Sequence, residues 1–287
     1  MYPLAILAFN RPHYLKQFLD SLVEATKVTP VGEISIFLDG QRKDADIPLV
    51  DECELIFKSY FPNGKIFKSE TNLGIAMNYD RAEKYVFEEL GADYAYFFED
   101  DLVIGPGYIE ALNQILELMK LHPQIAYGAA YGESSYMNGV RSKNSHSLDT
   151  LGHQWGYIAS KVSHDEIKAD LAEYKKLFSE VSYSEKEIIR DEIQSLFREW
   201  GSDFDELSQD CAKAISLIKH GYIKVNTNFN LGYYIGAIGE HMTQDKFDLA
   251  GFESTDDLKF APCQVTTDGN AVNRLLEHLK HIYRFNR

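Results

Sequence analysis

Apolar and polar positions follow two rhythms along the first third of the chain. Leu4–Phe9, Ile34–Leu38 and Tyr94–Phe98 are short, nearly unbroken apolar runs, and with the brief Lys65–Lys68 they read as buried strands. Between them apolar residues recur at helical spacing. Tyr14, Phe18, Leu19 and Leu22 mark one helix, with Asn10 a candidate cap and Pro12 in its first turn. Leu49, Val50 and Ile56 mark a second helix over Ile47–Tyr60. After the turn Asn72-Leu73-Gly74 comes a third, over Ile75–Leu90, and Pro106 opens another that ends near His122-Pro123. Strands alternating with helices predict an α/β fold whose mostly parallel sheet is covered by helices.

The second half reads differently. Ile125–Ala130 predicts a strand. Gly132–Gly152 is rich in Gly, Ser and Asn and predicts a long loop, a candidate lid. Val162–Trp200 is strongly charged, with Leu171, Tyr174, Leu177 and Phe178 on one side, and predicts two helices. Asp205–His220 predicts a further helix, Tyr222–Val225 a strand, and Val272–Tyr283 a closing helix.

Composition narrows the class. The chain has 287 residues, 45% of them hydrophobic, and a formal net charge of −15. Such an acidic surface excludes nucleic-acid binding through a basic face. It is compatible with a nucleotide ligand, because a divalent cation can bridge carboxylates to phosphates. Of the three cysteines, Cys53, Cys211 and Cys263, no two form a CxxC pair. That argues against a disulfide framework and for a reducing, cytoplasmic setting. The N-terminal apolar run has no basic flank before it, and no segment is long enough to span a bilayer. Peripheral contact with a membrane stays open.

In parallel sheets, ligands bind beyond the carboxyl ends of the strands. Three polar clusters fall there: Asn10-Arg11, Asp39-Gly40 and Glu99-Asp100-Asp101. The acidic triplet is the sharpest signal. Neighbouring carboxylates at the end of a bulky apolar strand repel one another and are costly to desolvate unless a cation is near. Hard cations, Mn²⁺ or Mg²⁺, take oxygen ligands of this kind together with phosphates. An acidic turn before a helix is the plainer alternative.

Residues 75–112, IAMNYDRAEKYVFEELGADYAYFFEDDLVIGPGYIEAL, resemble the core of the N-acetylglucosaminyltransferase I family, and AFNRPHYLKQFLDSL and IFLDG resemble the opening of such GT-A glycosyltransferases. The resemblance is good over residues 1–125 and thin afterwards. It implies a GT-A, Rossmann-like fold, with residues 1–125 as a nucleotide-sugar-binding subdomain. Residues 126–287 would be an acceptor-binding subdomain carrying a helical insertion at about 162–200, the two forming one compact unit. By position it implies that Asp101 binds the metal and that Glu99 and Asp100 lie by the ribose and sugar. Asn10 and Arg11 would meet the nucleobase and diphosphate, Asp39 the base, and Asn72 and Gly74 the ribose, with Phe9 also in the donor site. LGHQWGYIASKV resembles a family segment in which Trp155 would stack on the sugar, although a core tryptophan explains it as well. YYIGAIGEHMT resembles a late glycine-rich turn in which His241 would reach the diphosphate or the metal. An aspartate before a helix serves the family as general base. Asp210 is the candidate, with Asp203, Asp205 and Glu206 in competition.

The reading that follows is metal-dependent, inverting transfer of a sugar from a nucleotide diphosphate, UDP by resemblance, to a glycan, glycolipid or glycoprotein hydroxyl. The alternatives are a non-catalytic nucleotide- or carbohydrate-binding module and a nucleotidyltransferase. AFNRPHYL contains no glycine, which disfavours both a phosphate-loop nucleotidyltransferase and a dinucleotide oxidoreductase.

Overall fold

The computed structural model describes residues 1–131, 148–178, 181–227, 229–239, 242–250, 265 and 267–285. Its first half runs β1 (Leu4–Ala8), α1 (Pro12–Val28), β2 (Ile34–Leu38), α2 (Ile47–Tyr60), β3 (Lys65–Lys68), α3 (Gly74–Glu83) and β4 (Tyr94–Glu99). Then follow β5 (Leu102–Ile104), α4 (Tyr108–Leu121), β6 (Ile125–Ala129), β7 (Leu148–Thr150), β8 (Gly156–Ser160) and α5 (Lys161–Lys176). The rest is α6 (Arg190–Glu199), α7 (Gln209–Lys219), β9 (Ile223–Thr227), β10 (Gly232–Tyr234), α8 (Gln244–Ala250) and α9 (Gly269–Ile282).

An eight-stranded sheet in the order β3-β2-β1-β4-β8-β6-β9-β7 forms the centre. β1 lies parallel to both β2 and β4, and all five of its residues are buried. A strand covered on both faces has no need for polar alternation, which is why LAILA reads as a continuous apolar run. The predicted boundaries of α2 and β3 agree with the structure residue for residue.

The sheet is mixed rather than uniformly parallel. β8 inserts antiparallel between β4 and β6, and β7 pairs antiparallel with β9. Aromatic stacking fixes β8 in place. Tyr157 lies 5.0 Å from Tyr127 and 5.5 Å from Phe97, both in stacked geometry. Gly156 is required at the crossing, since a Cβ there would come within 2.6 Å of Leu102 and 2.8 Å of Phe98. β8 carries no turn signal of its own, so the pattern gave no separate strand there.

Other expectations shift. Asn10 does not cap α1. The helix starts at Pro12, Arg11 holds the cap position without a side-chain bond, and the Asn10 amide donates to Asp46 instead (2.8 Å). The segment over Ile75–Leu90 divides into α3 and a wider π-helical turn, Lys84–Glu89. The helix expected from Asp205 begins at Gln209, where the Ser208 hydroxyl accepts from the Cys211 amide. The closing helix begins earlier than expected, at Gly269, with Asp268 as its cap. Of the predicted loop over 132–152, residues 148–150 form β7, and residues 132–147 lie outside the described residues. Among the described residues no helix is long and apolar enough to cross a membrane.

Candidate functional site

β1 and β4 are adjacent and parallel, so their carboxyl ends open side by side. β1 delivers Arg11 and β4 delivers Glu99, Asp100 and Asp101. Arg11 Nη1 stands 2.7 Å from Asp101 Oδ2, and its Nη2 bonds Asp100 Oδ1. The two carboxylate side chains are only 1% and 3% exposed, against 24% for the guanidinium. Their remaining oxygens, Asp100 Oδ2 and Asp101 Oδ1, are buried without a hydrogen-bond partner among the described residues.

The charge of Asp101 pushes the proton affinity of both its neighbours upward. Burial and the neighbouring Asp101 raise the Asp100 carboxyl to about 6, against the pull of Arg11. Glu99 is driven well above the ordinary carboxyl range, first by desolvation and then by the charges of Asp101 and Asp210. The Tyr79 hydroxyl steadies it at 2.9 Å and also lies 2.8 Å from the Gln154 carbonyl.

A second strand pair closes over this cluster. β10 pairs antiparallel with β5, setting Tyr234 opposite Leu102. The Tyr234 hydroxyl then bonds Asp101, and the Ile235 amide donates to the Asp101 carbonyl (2.8 Å). Gly236 passes so close that a Cβ would sit 2.6 Å from Asp101 Oδ2. At Gly239 a Cβ would meet Arg11 Nη1 at 3.3 Å. The glycine-rich stretch singled out in the sequence therefore reaches the acidic cluster through Tyr234, Gly236 and Gly239. The role expected of His241 falls outside the described residues. Tyr79 and Tyr234 were missed, the first inside an ordinary helical pattern, the second in a short strand without alternation.

Asp39 is placed at the end of β2 as expected but is engaged by its own chain. One oxygen accepts from the Gly40 and Leu73 amides (2.9 and 2.7 Å), the other from the Gly74 amide and the Asn72 side chain (2.9 and 3.0 Å). A carboxylate has about four acceptor positions, so direct contact with a base would have to displace one of these bonds. Asp39 instead fastens Asn72 and Gly74, at the start of α3, to β2. Gly74 carries φ +75°, a conformation that favours glycine. Burial raises the Asp39 carboxyl, and the three amides oppose that rise. Phe9 lies under the Arg42 guanidinium, 4.9 Å from its ring centre.

Trp155, expected to stack on the sugar, is itself stacked on by two rings of this chain. His153 and Tyr234 lie 4.4 and 4.3 Å from the indole and nearly parallel to it. These two rings already stack on the indole, so a sugar would compete with them for its faces. Trp155 is half-buried, and its carbonyl accepts the Glu99 amide (2.7 Å).

Asp210 lies in the first turn of α7, half-buried, with its charge felt by Glu99, Tyr79, Tyr127 and Tyr157. Its competitors Asp203, Asp205 and Glu206 are exposed, and Asp205 pairs with Arg284. One turn further on, Lys213 forms a buried ion pair with Glu83 (2.7 Å), tying α7 to α3.

Among the described residues no three His, Cys, Asp or Glu side chains are grouped to hold a metal ion unaided. The two bare oxygens of Asp100 and Asp101 nonetheless suit a hard cation whose remaining ligands are phosphates and water.

A comparison with curated proteins gives no match. Among solved structures, S. aureus TarS (residues 1–349) overlays with a TM-score of 0.43 at 16% identity, covering 77% of this chain and 72% of that one. A mannosyltransferase from Pyrobaculum calidifontis, in complex with GDP-Man and Mn²⁺, overlays with 0.40 at 10% identity, over 57% of this chain and 46% of its own. Glucosyl-3-phosphoglycerate synthase from Mycobacterium tuberculosis, with Mn²⁺, UDP and glucosyl-3-phosphoglycerate, overlays with 0.35 at 11% identity, over 64% and 67%. The chain thus spans less than half of the mannosyltransferase structure. The profile of Glycosyl transferase family 2 matches residues 4–175. That match speaks for the glycosyltransferase class and the GT-A fold, not for the narrower N-acetylglucosaminyltransferase I family. It takes in Arg11, Asp39 and the Glu99–Asp101 cluster, and covers more than half of the chain, which therefore belongs to glycosyl transferase family 2.

Proposed function

We propose that this glycosyltransferase moves a sugar from a nucleoside diphosphate, UDP in the first instance, to an acceptor hydroxyl with inversion at the anomeric carbon. One observation carries the reading: at the end of β4, Arg11 bridges Asp100 and Asp101, and the charges of Asp101 and Asp210 both reach Glu99. Asp100 and Asp101 would hold Mn²⁺ or Mg²⁺ through their bare oxygens. When bound, that ion supplies a positive charge facing the departing diphosphate. Arg11 adds a second cationic contact for the phosphates. The Asp39-anchored loop, with Asn72 and Gly74, would border the ribose.

Asp210 is the proposed general base. It receives the acceptor hydroxyl proton as that oxygen attacks the anomeric carbon from the face opposite the diphosphate. Glu99, whose carboxyl is pushed well above its ordinary range by burial and by the two neighbouring acids, lies beside it and accepts from the Tyr79 hydroxyl. The acceptor would be a sugar hydroxyl on a glycan, glycolipid or glycoprotein, entering from the side of α5–α7.

The test is a panel of nucleotide sugars assayed for diphosphate release, with and without Mn²⁺, in the presence of simple sugar acceptors. Metal-dependent release with one donor is expected. Affinity for donors without turnover under any condition would instead identify a binding module on a transferase scaffold.

A further inference from the structure

Asp100 and Asp101 each give one oxygen to Arg11 and keep one oxygen buried and bare. The guanidinium is fork-shaped and permanently charged, and here one prong rests on each acid. It is also the one member of the trio with appreciable exposure, at the end of a long side chain that no cap bond fastens. The guanidinium occupies one oxygen of each acid, so a doubly charged ion bound by the same two carboxylates would sit against it at close range. A diphosphate removes the conflict, since it brings about three negative charges and is a bidentate partner for arginine.

We propose that Arg11 is a built-in counter-cation that keeps Asp100 and Asp101 closed to a divalent ion until a nucleoside diphosphate draws it away. Metal and nucleotide then bind as a coupled pair, each raising the affinity for the other. The segment over residues 235–239 is placed to register the exchange. It is bonded to the Asp101 carbonyl through Ile235, and Gly239 lies against the guanidinium. This inference rests on the metal-and-nucleotide reading of the site.

The test reads metal binding directly, by titrating Mn²⁺ and following its free-ion electron paramagnetic resonance signal, with and without UDP. Wild type should bind Mn²⁺ alone weakly and tighten at least about tenfold when UDP is added, within the usual range of coupling between sites. R11Q, which keeps a polar side chain but no charge, should bind Mn²⁺ alone about tenfold more tightly than wild type, and bind UDP more weakly at saturating Mn²⁺. R11K, with its charge retained but its fork lost, should fall between the two, and it decides the matter if R11Q does not fold. Mn²⁺ affinity in the absence of UDP that is equal or lower in the variants overturns the counter-cation role while leaving the glycosyltransfer site intact. Failure of all forms to bind Mn²⁺ even with UDP overturns the metal reading itself.

Discussion

The proposed donor side and the proposed acceptor side of this molecule are built on different principles. On the donor side, β1, β2 and β4 run parallel, and each ends in its own polar cluster within three residues of the strand. Position in the chain and position in the site coincide there. On the acceptor side, Asp210 starts a helix and Tyr234 ends a short antiparallel strand, and both reach the cluster only because other elements carry them. Buried polar contacts hold that side together. Lys213 pairs with Glu83, and Asp170 gathers Ser216 and Lys219. Chemistry at a strand end is placed by the strand itself, whereas chemistry at a helix start depends on whatever clamps the helix.

This contrast can be broken at its strongest point first. If Asp210 is the base, Asp210→Asn lowers kcat by roughly 10²–10⁴-fold, the usual scale for a general base. UDP–Mn²⁺ affinity, measured by calorimetry, should barely move, because the donor side does not need that carboxylate. A parallel fall in donor affinity would mean that the two sides are not separable.

The clamp comes next. Lys213→Met leaves Glu83 buried without its partner, a loss of about 3–5 kcal/mol in unfolding free energy. Urea denaturation checks it. Replacing both residues by apolar ones of similar size should restore most of the loss, since an intact buried pair gains little over good packing. Lys213 Nζ also lies 4.6 Å from the centre of the Tyr79 ring, whose hydroxyl steadies Glu99, so the single variant should disturb activity beyond its effect on stability.

The smallest effect tests the seam between the sides. Gly236→Ala sets a methyl against Asp101 Oδ2 and the Tyr234 ring. Overpacking of this kind costs about 1–3 kcal/mol. Here it should lower the melting temperature by a few degrees and also weaken Mn²⁺–UDP binding. An unchanged affinity would show that the segment over residues 235–239 does not need its close approach.

Much of the donor side was legible because its determinants are local. An apolar run, a terminating polar residue and the next helical period identify each unit, and Asp101 and Arg11 stand where a parallel sheet exposes its ends. Asp210 was named from a resemblance, not from its own stretch of chain. Asn10 was misread as a cap, because a partner distant in sequence, Asp46, claims its amide instead. Trp155 likewise has a distant partner that no local pattern announces, the stacked ring of Tyr234. Asp39 was located correctly, yet its four bonds to residues 40 and 72–74 could not be read from a strand end.

By itself, then, the sequence determined the period of each element, the alternation that builds a helix-covered sheet, and the acids that must find a countercharge. Tertiary structure alone decided what the countercharge is in the free protein, namely Arg11. It also decided that β8 runs antiparallel, and that Tyr234 and Gly236 rather than a neighbour in sequence close over Asp101. Period and polarity are properties of a stretch of chain, but the pairing of buried charges is settled by which surfaces the fold brings within a few ångströms, where desolvation makes every unmatched charge costly.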